Sequence, residues 1–478
     1  MTDLQSTSST GAETPIGEAA LAAFQAGLRG ELLRSGDDGY EEARKIWNGM
    51  IDKKPALIVR CSGVVDVIDA VNFAREQNLP LSVRGGGHNI AGTALCDGGI
   101  VIDFSAMKAV HVNPAAQTVR VQPGAALGDV DRETQCFGQA VPGGYISTTG
   151  ISGLTLGGGF GWLSRKYGYT CDNLLSVDLV AADARFLTAS ADKHADLFWG
   201  LRGGGGNFGV VTSYEFRTHP VGPTVVAGLI LYPMEKAREV IRFYREFTAQ
   251  APEELTCMLM LRTAPAAPFL PEAVHGAPVV GIIACHSGSV EEGERAVRPL
   301  KEFGSPLADL IAPKPFAIHQ STFDATQPPG WQYYWKSEYL AAIPDAVIDT
   351  LIASANKFTS PHSIVAMMHV GGAVSRVGEE DTAAGGRNAA YILVVNGGWL
   401  DPSEDKQHVR WGRETWQAMR IHASGGVYVN FIPADEGEKR VLEAYGPKKY
   451  QRLVALKNKY DPGNMFRSNQ NIKPSVNT

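Results

Sequence analysis

A histidine that follows three consecutive glycines is the first candidate for chemistry in this sequence. The segment at residues 83–92 reads VRGGGHNIAG, and His88 stands directly after the triplet. Glycines let a backbone approach a ligand closely and adopt positive φ angles, so the loop predicts a bound group that touches both the backbone and the imidazole. A surface turn with an inert histidine is the alternative, because short motifs also match by chance.

Two further glycine-rich tracts indicate which kind of group is bound. They lie at residues 141–161 and 202–209. Such tracts bury little side-chain area, which favours a flat or phosphorylated ligand held between backbone segments. The GGGFG run that begins at Gly157, with Asp178 and Asp183 roughly 20 residues further on, superficially matches a dinucleotide fingerprint. Because organised α/β sequence precedes Gly157, a nicotinamide-dependent dehydrogenase is only a minor alternative.

The elements that position His88 follow from hydrophobic periodicity. Residues 55–60 and 79–84 are typical of strands, and residues 64–75 carry apolar side chains at helical spacing. This β–α–β unit places His88 in a loop at a strand end, where α/β proteins bind ligands. The same reasoning predicts helices at residues 17–34 and 126–136 and strands at residues 99–103, 118–122 and 176–181.

From residue 220 onward the pattern changes to longer apolar strands separated by amphipathic helices. It predicts an antiparallel sheet with helices over one face, which is typical of a substrate-binding domain. The predicted strands are residues 225–232, 256–262, 278–286, 363–370 and 389–396, and the predicted helices are residues 234–248, 290–303 and 450–459.

Composition excludes several classes of function. With 478 residues the chain is too long for one ordinary core, so two large domains, or one domain with a large insertion, are expected. A formal net charge of -6 argues against nucleic acid as a partner. No apolar run approaches the length of a membrane span, and the polar residues 1–14 predict a disordered leader without the features of a secretory signal.

The six cysteines and the histidines are scattered along the chain. The cysteines show neither metal-ligand spacing nor a disulfide framework, and the histidines share no short ligand spacing, so no metal is assigned. Buried free thiols indicate a reducing compartment and therefore a cytoplasmic location. The sequence leaves the oligomeric state open.

Four segments occur together in an order that is typical of one protein family. They are RGGGHNIAG at residues 84–92, TTGISGLTLGGGFGWLSRKYG at 148–168, DLFWGLRG at 196–203, and YVNF at 428–431 with YDPGNMF at 460–466. With these segments the chain resembles the covalent flavin oxidases of the vanillyl-alcohol-oxidase type, which have a PCMH-type FAD-binding domain, and among them the berberine-bridge-enzyme-like group. The resemblance is stronger to bacterial members than to plant members.

The resemblance implies an α+β fold with two lobes. Residues 1–49 would form a leader and a helix, residues 50–220 the FAD-binding domain, and residues 221–425 a substrate-binding domain with an antiparallel sheet covered by helices. Residues 426–478 would be a berberine-bridge-like segment that returns to the FAD-binding domain.

The resemblance also implies FAD as the cofactor, bonded covalently from His88 to the 8α carbon of the isoalloxazine ring. Many relatives add a cysteinyl bond two residues before the position of Thr148, but Ile146 stands there, so a single link through His88 is expected. The other expected cofactor-binding residues are Arg84, Gly85, Gly86, Gly87, Asn89, Gly92, Thr148, Thr149, Gly150, Gly153, Gly157, Gly158, Gly161, Val210, Val211, Tyr428 and Asn430.

The chemistry that the resemblance implies is hydride transfer from a C–H beside a hydroxyl or amine to the flavin, assisted by a base. Tyr428 is the first candidate for that base, and Tyr391 and His369 follow because they lie on predicted sheet strands. A phenol near its ordinary pKa would need a nearby cation, for which Arg387 is a candidate. The structural alternative is that these side chains are merely satisfied in the core.

The substrate and the electron acceptor are less defined by the sequence. A sugar, an aromatic alcohol, an alkaloid or a natural-product intermediate would fit, and the aromatic run at residues 331–335 could stack on such a ring or pack the core. Reoxidation by O2, which yields hydrogen peroxide, is favoured on family frequency. The alternatives are a dehydrogenase with another acceptor and a flavin-binding protein without turnover.

Overall fold

Among the described residues up to 220, the strands form two sheets, one short hairpin and one further two-stranded pair. The computed structural model describes residues 4–7 and 13–475. Its first strands are β1 (Leu4–Thr7), β2 (Glu13–Ile16), β3 (Glu31–Arg34), β4 (Leu57–Arg60), β5 (Leu81–Arg84), β6 (Ile100–Asp103), β7 (Val110–Asn113), β8 (Thr118–Val121), β9 (Gln139–Ala140), β10 (Leu174–Val180), β11 (Phe186–Ser190), β12 (Val210–Arg217) and β13 (His219–Pro220). The helices of this part are α1 (Glu18–Gly27), α2 (Tyr40–Ala43), α3 (Val64–Glu76), α4 (Leu127–Gln135), α5 (Ile151–Leu156), α6 (Ser164–Tyr167) and α7 (Ala195–Leu201).

The β–α–β unit that leads to His88 forms as the sequence predicts. Strands β4 and β5 each pair in parallel with β6, in the sheet order β3-β4-β6-β5, and α3 connects β4 to β5. Helix α3 buries Val67, Ala70, Val71 and Ala74, whose spacing gives one apolar stripe along the helix. The chain leaves β5 directly into the glycine triplet, so His88 lies at the carboxyl end of a strand.

A second sheet in the same part of the chain is antiparallel, with the order β11-β10-β12-β8-β7. Its core contains Val119, Val177, Val211 and Tyr214, all of them buried. Residues 427–472 return to this core, because Val427, Val429 and Ile432, residues of the last helix and Ile472 pack into the same cluster. The sheet therefore depends on a segment from the far end of the chain.

The remaining strands form one antiparallel sheet of eight strands. They are β14 (Thr224–Pro233), β15 (Leu255–Thr263), β16 (Pro278–His286), β17 (Ala308–Asp309), β18 (Ala312–Pro315), β19 (Gln332–Leu340), β20 (Ile364–His369) and β21 (Tyr391–Trp399), in the order β17-β14-β16-β15-β20-β21-β19 with β18 beside β14. The helices that follow α7 are α8 (Ala237–Gln250), α9 (Val290–Glu302), α10 (Phe316–Gln320), α11 (Asp345–Ala355), α12 (Ala373–Arg376), α13 (Asp405–Arg420) and α14 (Glu438–Tyr460).

This large sheet has two different faces. Helices α8, α9, α11 and α13 cover one face and bury Leu259, Val365 and Leu393 beneath them. Because successive strand residues point to opposite faces, their neighbours Met258, Met260, Ala366, Met368 and Val394 lie on the other face. The helix-covered antiparallel sheet confirms the α+β fold that the sequence predicts.

Several elements differ from the sequence-based expectations. The predicted helix at 17–34 ends at Gly27, and the chain continues as β3, which pairs with β4. Within the polar leader, β1 pairs with β2. The predicted helix at 450–459 is the second half of α14, which is interrupted at Gly446, where φ is 71°, just before Pro447. Among the described residues, no helix is both long and apolar enough to cross a membrane.

Candidate functional site

A cavity of about 310 Å³ lies between the glycine-rich loops and the uncovered face of the large sheet. This volume is within the range of small-molecule and cofactor sites. One side, here called the glycine wall, consists of Gly85, Gly86, Gly87, His88, Asn89, Thr149, Gly150, Ser152, Gly153, Gly205, Gly206, Gly209, Val210 and Val211. The other side, the sheet wall, consists of Met258, Met260, Ile364, Ala366, Met368, Val394 and Asn396. In the part of the chain that the structure describes, no Asp, Glu, Lys or Arg lines the cavity.

The glycine wall is built by direct contact between two backbones. A Cβ atom on Gly86 would lie 2.5 Å from the backbone N and Cα of Gly150, and one on Gly150 would lie 2.4 Å from the backbone N of Gly86. Side chains at either position would push the two loops apart. The first and second glycine tracts therefore meet at this point because neither residue carries a side chain.

Other glycines of the same wall leave space in the cavity. A Cβ atom on Gly153 or Gly206 would meet no protein atom within 4 Å, although both residues line the cavity. These positions form a cradle that side chains would partly fill. A long ligand held mainly by backbone groups, such as FAD, fits this arrangement.

His88 is held by an aromatic stack at the edge of the glycine wall. Its ring lies on Trp47 with centroids 4.7 Å apart, and Trp47 lies on Tyr333 of β19 with centroids 3.8 Å apart. The indole N–H of Trp47 donates to the carbonyl of Gln327 at 2.9 Å. Nε2 of His88 is 3.2 Å from Oγ1 of Thr148. The stack fixes the imidazole plane between the two walls.

Burial lowers the pKa of His88 to about 4. The imidazole is therefore neutral at neutral pH, and one of its nitrogens keeps a free lone pair. A neutral imidazole at the end of a backbone cradle has the electron pair needed to form a bond to an electrophilic carbon.

Tyr428 approaches the cavity from the returning C-terminal segment. Its phenol oxygen accepts hydrogen bonds from the backbone N–H of Gly159 at 3.0 Å and from Nδ2 of Asn430 at 2.9 Å. Nδ2 of Asn430 also lies 3.2 Å from the carbonyl oxygen of Gly153. Burial raises the pKa of Tyr428 well above its ordinary value. Two donors use the acceptor positions of a neutral phenol, so its own proton is the one it can donate to a ligand.

Tyr391 and His369, the other two catalytic candidates, are not among the described residues that line the cavity. They are neighbours in register on β20 and β21, on the helix-covered side of the sheet. The hydroxyl of Tyr391 lies 2.8 Å from Oγ1 of Thr248 in α8, and Nε2 of His369 lies 2.7 Å from Nη1 of Arg165. The strand is correctly predicted, but the alternation of side chains turns Met368 toward the cavity and His369 away from it.

Arg387 does not supply a free positive charge to Tyr428. Both of its terminal nitrogens lie 2.6 Å from the carboxylate oxygens of Asp172, and its guanidinium lies over the ring of Tyr169. This buried bidentate pair neutralises the charge. The cation that a phenolate at Tyr428 would need is therefore not provided by this arginine.

The expected cofactor-binding residues divide into two groups. Those that line the cavity are Gly85, Gly86, Gly87, His88, Asn89, Thr149, Gly150, Gly153, Val210, Val211, Tyr428 and Asn430. Those that do not line it are Arg84, Gly92, Thr148, Gly157, Gly158 and Gly161. The binding role of the second group therefore stays a prediction.

Three residues of the second group have contacts that hold them outside the cavity. The guanidinium of Arg84 is paired with Asp103, with Nε and Nη2 at 3.0 and 2.6 Å from its two carboxylate oxygens, and so points away from the cavity. Thr148 contacts His88 rather than the cavity. A Cβ atom on Gly161 would lie 2.2 Å from the carbonyl oxygen of Gly143, so this glycine permits close packing between loops.

The sheet wall contains the functional residues that the sequence analysis missed. Met258, Met260 and Met368 were recognised only as parts of strands, and Asn396 was not singled out. Their period-two spacing was visible, but only the structure shows which face the helices leave uncovered. Trp335, from the aromatic run, lines the cavity, whereas its neighbour Tyr334 donates to Asp435 at 2.8 Å and does not line the cavity.

Comparison with known families and proteins agrees with this site. Residues 55–190 match the family described as FAD binding domain, and residues 427–473 match the family described as Berberine and berberine like. An FAD-linked oxidoreductase of Dictyostelium discoideum is 31% identical over 459 residues, which cover 95% of this chain and 97% of the relative.

A second relative and a solved structure are both 6-hydroxynicotine oxidases. The (R)-6-hydroxynicotine oxidase of Paenarthrobacter nicotinovorans is 30% identical over 466 residues, covering 94% of this chain and 97% of the relative. The crystal structure of 6-hydroxy-D-nicotine oxidase from Arthrobacter nicotinovorans aligns with a TM-score of 0.83 and 28% identity, covering 94% of this chain and 98% of that structure. Similarity therefore extends over both walls of the cavity.

Proposed function

The chain belongs to the FAD-linked oxidoreductases of the berberine-bridge-enzyme-like family, and on this premise we propose that it takes a hydride from a C–H beside a hydroxyl or amine of a small organic substrate. The observation that carries the proposal is that His88 and Tyr428 line one cavity between the glycine wall and an apolar sheet wall. Bound FAD would supply the hydride acceptor, with O2 as the final oxidant and hydrogen peroxide as the product.

Within this proposal, FAD is held by one covalent bond, from His88 to the 8α carbon of the ring. The neutral imidazole and the backbone cradle at Gly153 and Gly206 support this assignment. Ile146 lines the cavity where a second, cysteinyl link would need a thiol. Cys136 is exposed and Cys171 is buried, and neither lines the cavity. Among the described residues, no cysteine lines the cavity as a partner for a second bond.

Tyr428 orients the substrate in this proposal. Since burial raises its pKa and two N–H groups already donate to its oxygen, it is a neutral phenol with one proton to donate. It donates to the oxygen of a substrate hydroxyl, whose own proton leaves to water as the hydride is transferred, or to a polar group other than the reacting nitrogen of an amine. This role differs from the base that the sequence analysis expects, because a resting phenolate would require a cation that Arg387 does not supply. An amine substrate would need no base, as the nitrogen lone pair stabilises the positive charge left by hydride loss.

Acid denaturation tests the covalent attachment. We expect the flavin absorption to remain with the precipitated wild-type polypeptide and to be released from the His88→Ala variant. The His219→Ala variant is a matched control, because burial also lowers the pKa of His219 to about 4 but its ring stacks on Tyr167 outside the cavity. Flavin that stays attached in His88→Ala, or that is released from the wild type, would contradict the single histidyl link.

Anaerobic mixing with a panel of alcohols, amines and sugars tests the reaction. We expect at least one neutral compound to bleach the flavin, and admission of O2 to restore its colour with release of one equivalent of hydrogen peroxide. Bleaching that only an artificial acceptor reverses would indicate a dehydrogenase. A flavin that no compound in the panel bleaches would indicate a binding protein without turnover.

A further inference from the structure

Two buried polar groups on residues that line the cavity lack a partner among the described residues. They are the indole N–H of Trp335 and the side-chain oxygen Oδ1 of Asn396. Each residue is only 8% exposed, and both line the cavity. A buried donor or acceptor without a partner is expensive, so such groups call for an explanation.

The two residues that carry these groups lie side by side in the sheet. Trp335 on β19 and Asn396 on β21 are partners in the strand register, so their side chains leave the same face of the sheet. Nδ2 of Asn396 donates to Oε1 of Gln327 at 3.1 Å, which leaves the oxygen of the amide for a ligand. One donor and one acceptor without partners thus belong to neighbouring residues of the cavity lining.

A hydroxyl group complements this pair. Its oxygen can accept the hydrogen bond of the indole while its proton is donated to the amide oxygen. The surroundings restrict the rest of the molecule, because the sheet wall beside the pair is apolar and no charged side chain lines the cavity in the described ranges. Three methionines give this wall an adaptable apolar surface that suits a flat or irregular hydrocarbon body.

The pair is separate from the phenol of Tyr428. The ring of Phe431 stands between them, with its centroid 5.1 Å from that of Trp335 and 4.9 Å from that of Tyr428, edge-on to both. A ligand therefore meets two polar points divided by an aromatic ring. In this arrangement the reacting group of the substrate lies at Tyr428, and Trp335 and Asn396 contact a different part of the molecule.

We infer that Trp335 and Asn396 recognise a hydroxyl group on an uncharged, mainly apolar substrate, which rests on the proposed function of the same cavity. The two residues determine specificity and are not assigned to the hydride transfer. Molecules that carry a carboxylate, a phosphate or a cationic centre at this position are disfavoured, because the desolvated charge would find no counter-ion in the lining.

Equilibrium dialysis of the purified flavin-loaded protein tests this inference with 2-naphthol, naphthalene and 2-naphthoate. 2-Naphthol carries no hydrogen on the carbon that bears its hydroxyl, so the proposed reaction does not consume it. We expect it to bind about tenfold more tightly than naphthalene, and the Asn396→Leu and Trp335→Phe variants to lose about tenfold for 2-naphthol with little change for naphthalene. The Met368→Leu control should change both affinities alike.

Three results would overturn the inference. The variants could retain the preference for 2-naphthol, no probe could bind, or 2-naphthoate could bind most tightly, which would place the ligand against Arg262, two residues beyond Met260 on the same strand. Loss of FAD from both variants would instead assign the pair to the cofactor and also overturn it. Failure of the proposed function is distinguishable, because it appears as absent covalent flavin or absent turnover in the wild type, neither of which the dialysis measures.

Discussion

The two walls of the cavity are built in opposite ways. On the glycine wall, backbone meets backbone, and Gly86 and Gly150 approach so closely that a Cβ atom on either would clash. On the sheet wall, the backbone is regular and the surface consists of side chains such as Met258 and Met368 from neighbouring strands. The first wall leaves no room for a side chain at Gly86 or Gly150, whereas the second is defined by the side chains it carries.

This difference separates shape from selectivity. The glycine wall offers the same backbone groups to any ligand with the right outline, which suits a cofactor that never changes. The sheet wall can change its chemistry at each alternate position without disturbing the strands, which suits a substrate that differs among relatives. Substitutions on the glycine wall should therefore affect folding and cofactor binding. Substitutions on the sheet wall should change which substrates bind.

The largest effect is expected from Gly86→Ala. The new Cβ would lie 2.5 Å from backbone atoms of Gly150, which cannot rotate away, so the loss in folding free energy should exceed about 3 kcal/mol and abolish the flavin-loaded protein. Gly206→Ala is the matched control, since its Cβ would meet no protein atom within 4 Å. Thermal denaturation and flavin content check both variants. Equal behaviour of the two would remove the distinction between contact glycines and cradle glycines.

The next effect concerns two tyrosines on opposite sides of the sheet. Tyr428→Phe should lower kcat about a hundredfold, because the substrate loses the phenol that orients it. Tyr391→Phe should leave kcat within about twofold and lower stability by about 1 kcal/mol, since its hydroxyl only meets Thr248. Both are measured as the rate of anaerobic flavin bleaching with a substrate found in the panel, together with urea unfolding. A large loss of kcat in Tyr391→Phe would return that residue to the site.

A smaller effect is expected from the pH dependence of stability. Burial, and then the charge of Arg165, lower the pKa of His369 to about 2, whereas the pKa of a histidine in the unfolded chain is about 6.5. Between these values the unfolded chain binds more protons, so stability falls as the pH falls. From pH 6.5 to 5 the wild type should lose roughly 2 kcal/mol more than His369→Gln.

Urea unfolding at several pH values measures this difference, and a parallel decline in both proteins would contradict it. The activity of His369→Gln at neutral pH is compared with that of the wild type, and the two should be similar. A residue on the helix-covered face, only 6% exposed and bonded to Arg165, should not influence the substrate directly.

The sequence predicted the glycine wall more fully than the sheet wall, for a physical reason. Glycine is visible in the sequence as a residue type, so the tracts that contain Gly86 and Gly153 can be recognised before the contact between Gly86 and Gly150 is known. The same holds for the α+β fold, since the strands β4, β5, β15, β16 and β21 follow from short-range periodicity. Contacts within one loop or one strand are encoded locally.

The sheet wall depends on a choice that no single strand encodes. His369 and Met368 are adjacent in one predicted strand, and only the packing of α8 and α11 against the sheet decides which of them faces the cavity. Trp47 is a similar case, because its stack with His88 and Tyr333 joins segments far apart in the chain. The sequence also gave no sign that Asp172 neutralises Arg387. These are long-range contacts, and they determine the surroundings of the residues that were predicted as the base.

The return of residues 427–472 to the core around Val119 and Phe216 has a consequence for synthesis of the chain. On the ribosome, this sheet emerges first, and the apolar surface that Val429 and Ile472 cover stays exposed until residues 427–472 have emerged as well. Roughly 250 residues separate the two parts, so at about 5–20 residues per second the nascent sheet waits on the order of tens of seconds for its last partner. Chaperones would have the longest time to act on this surface, well after the large sheet has left the exit tunnel.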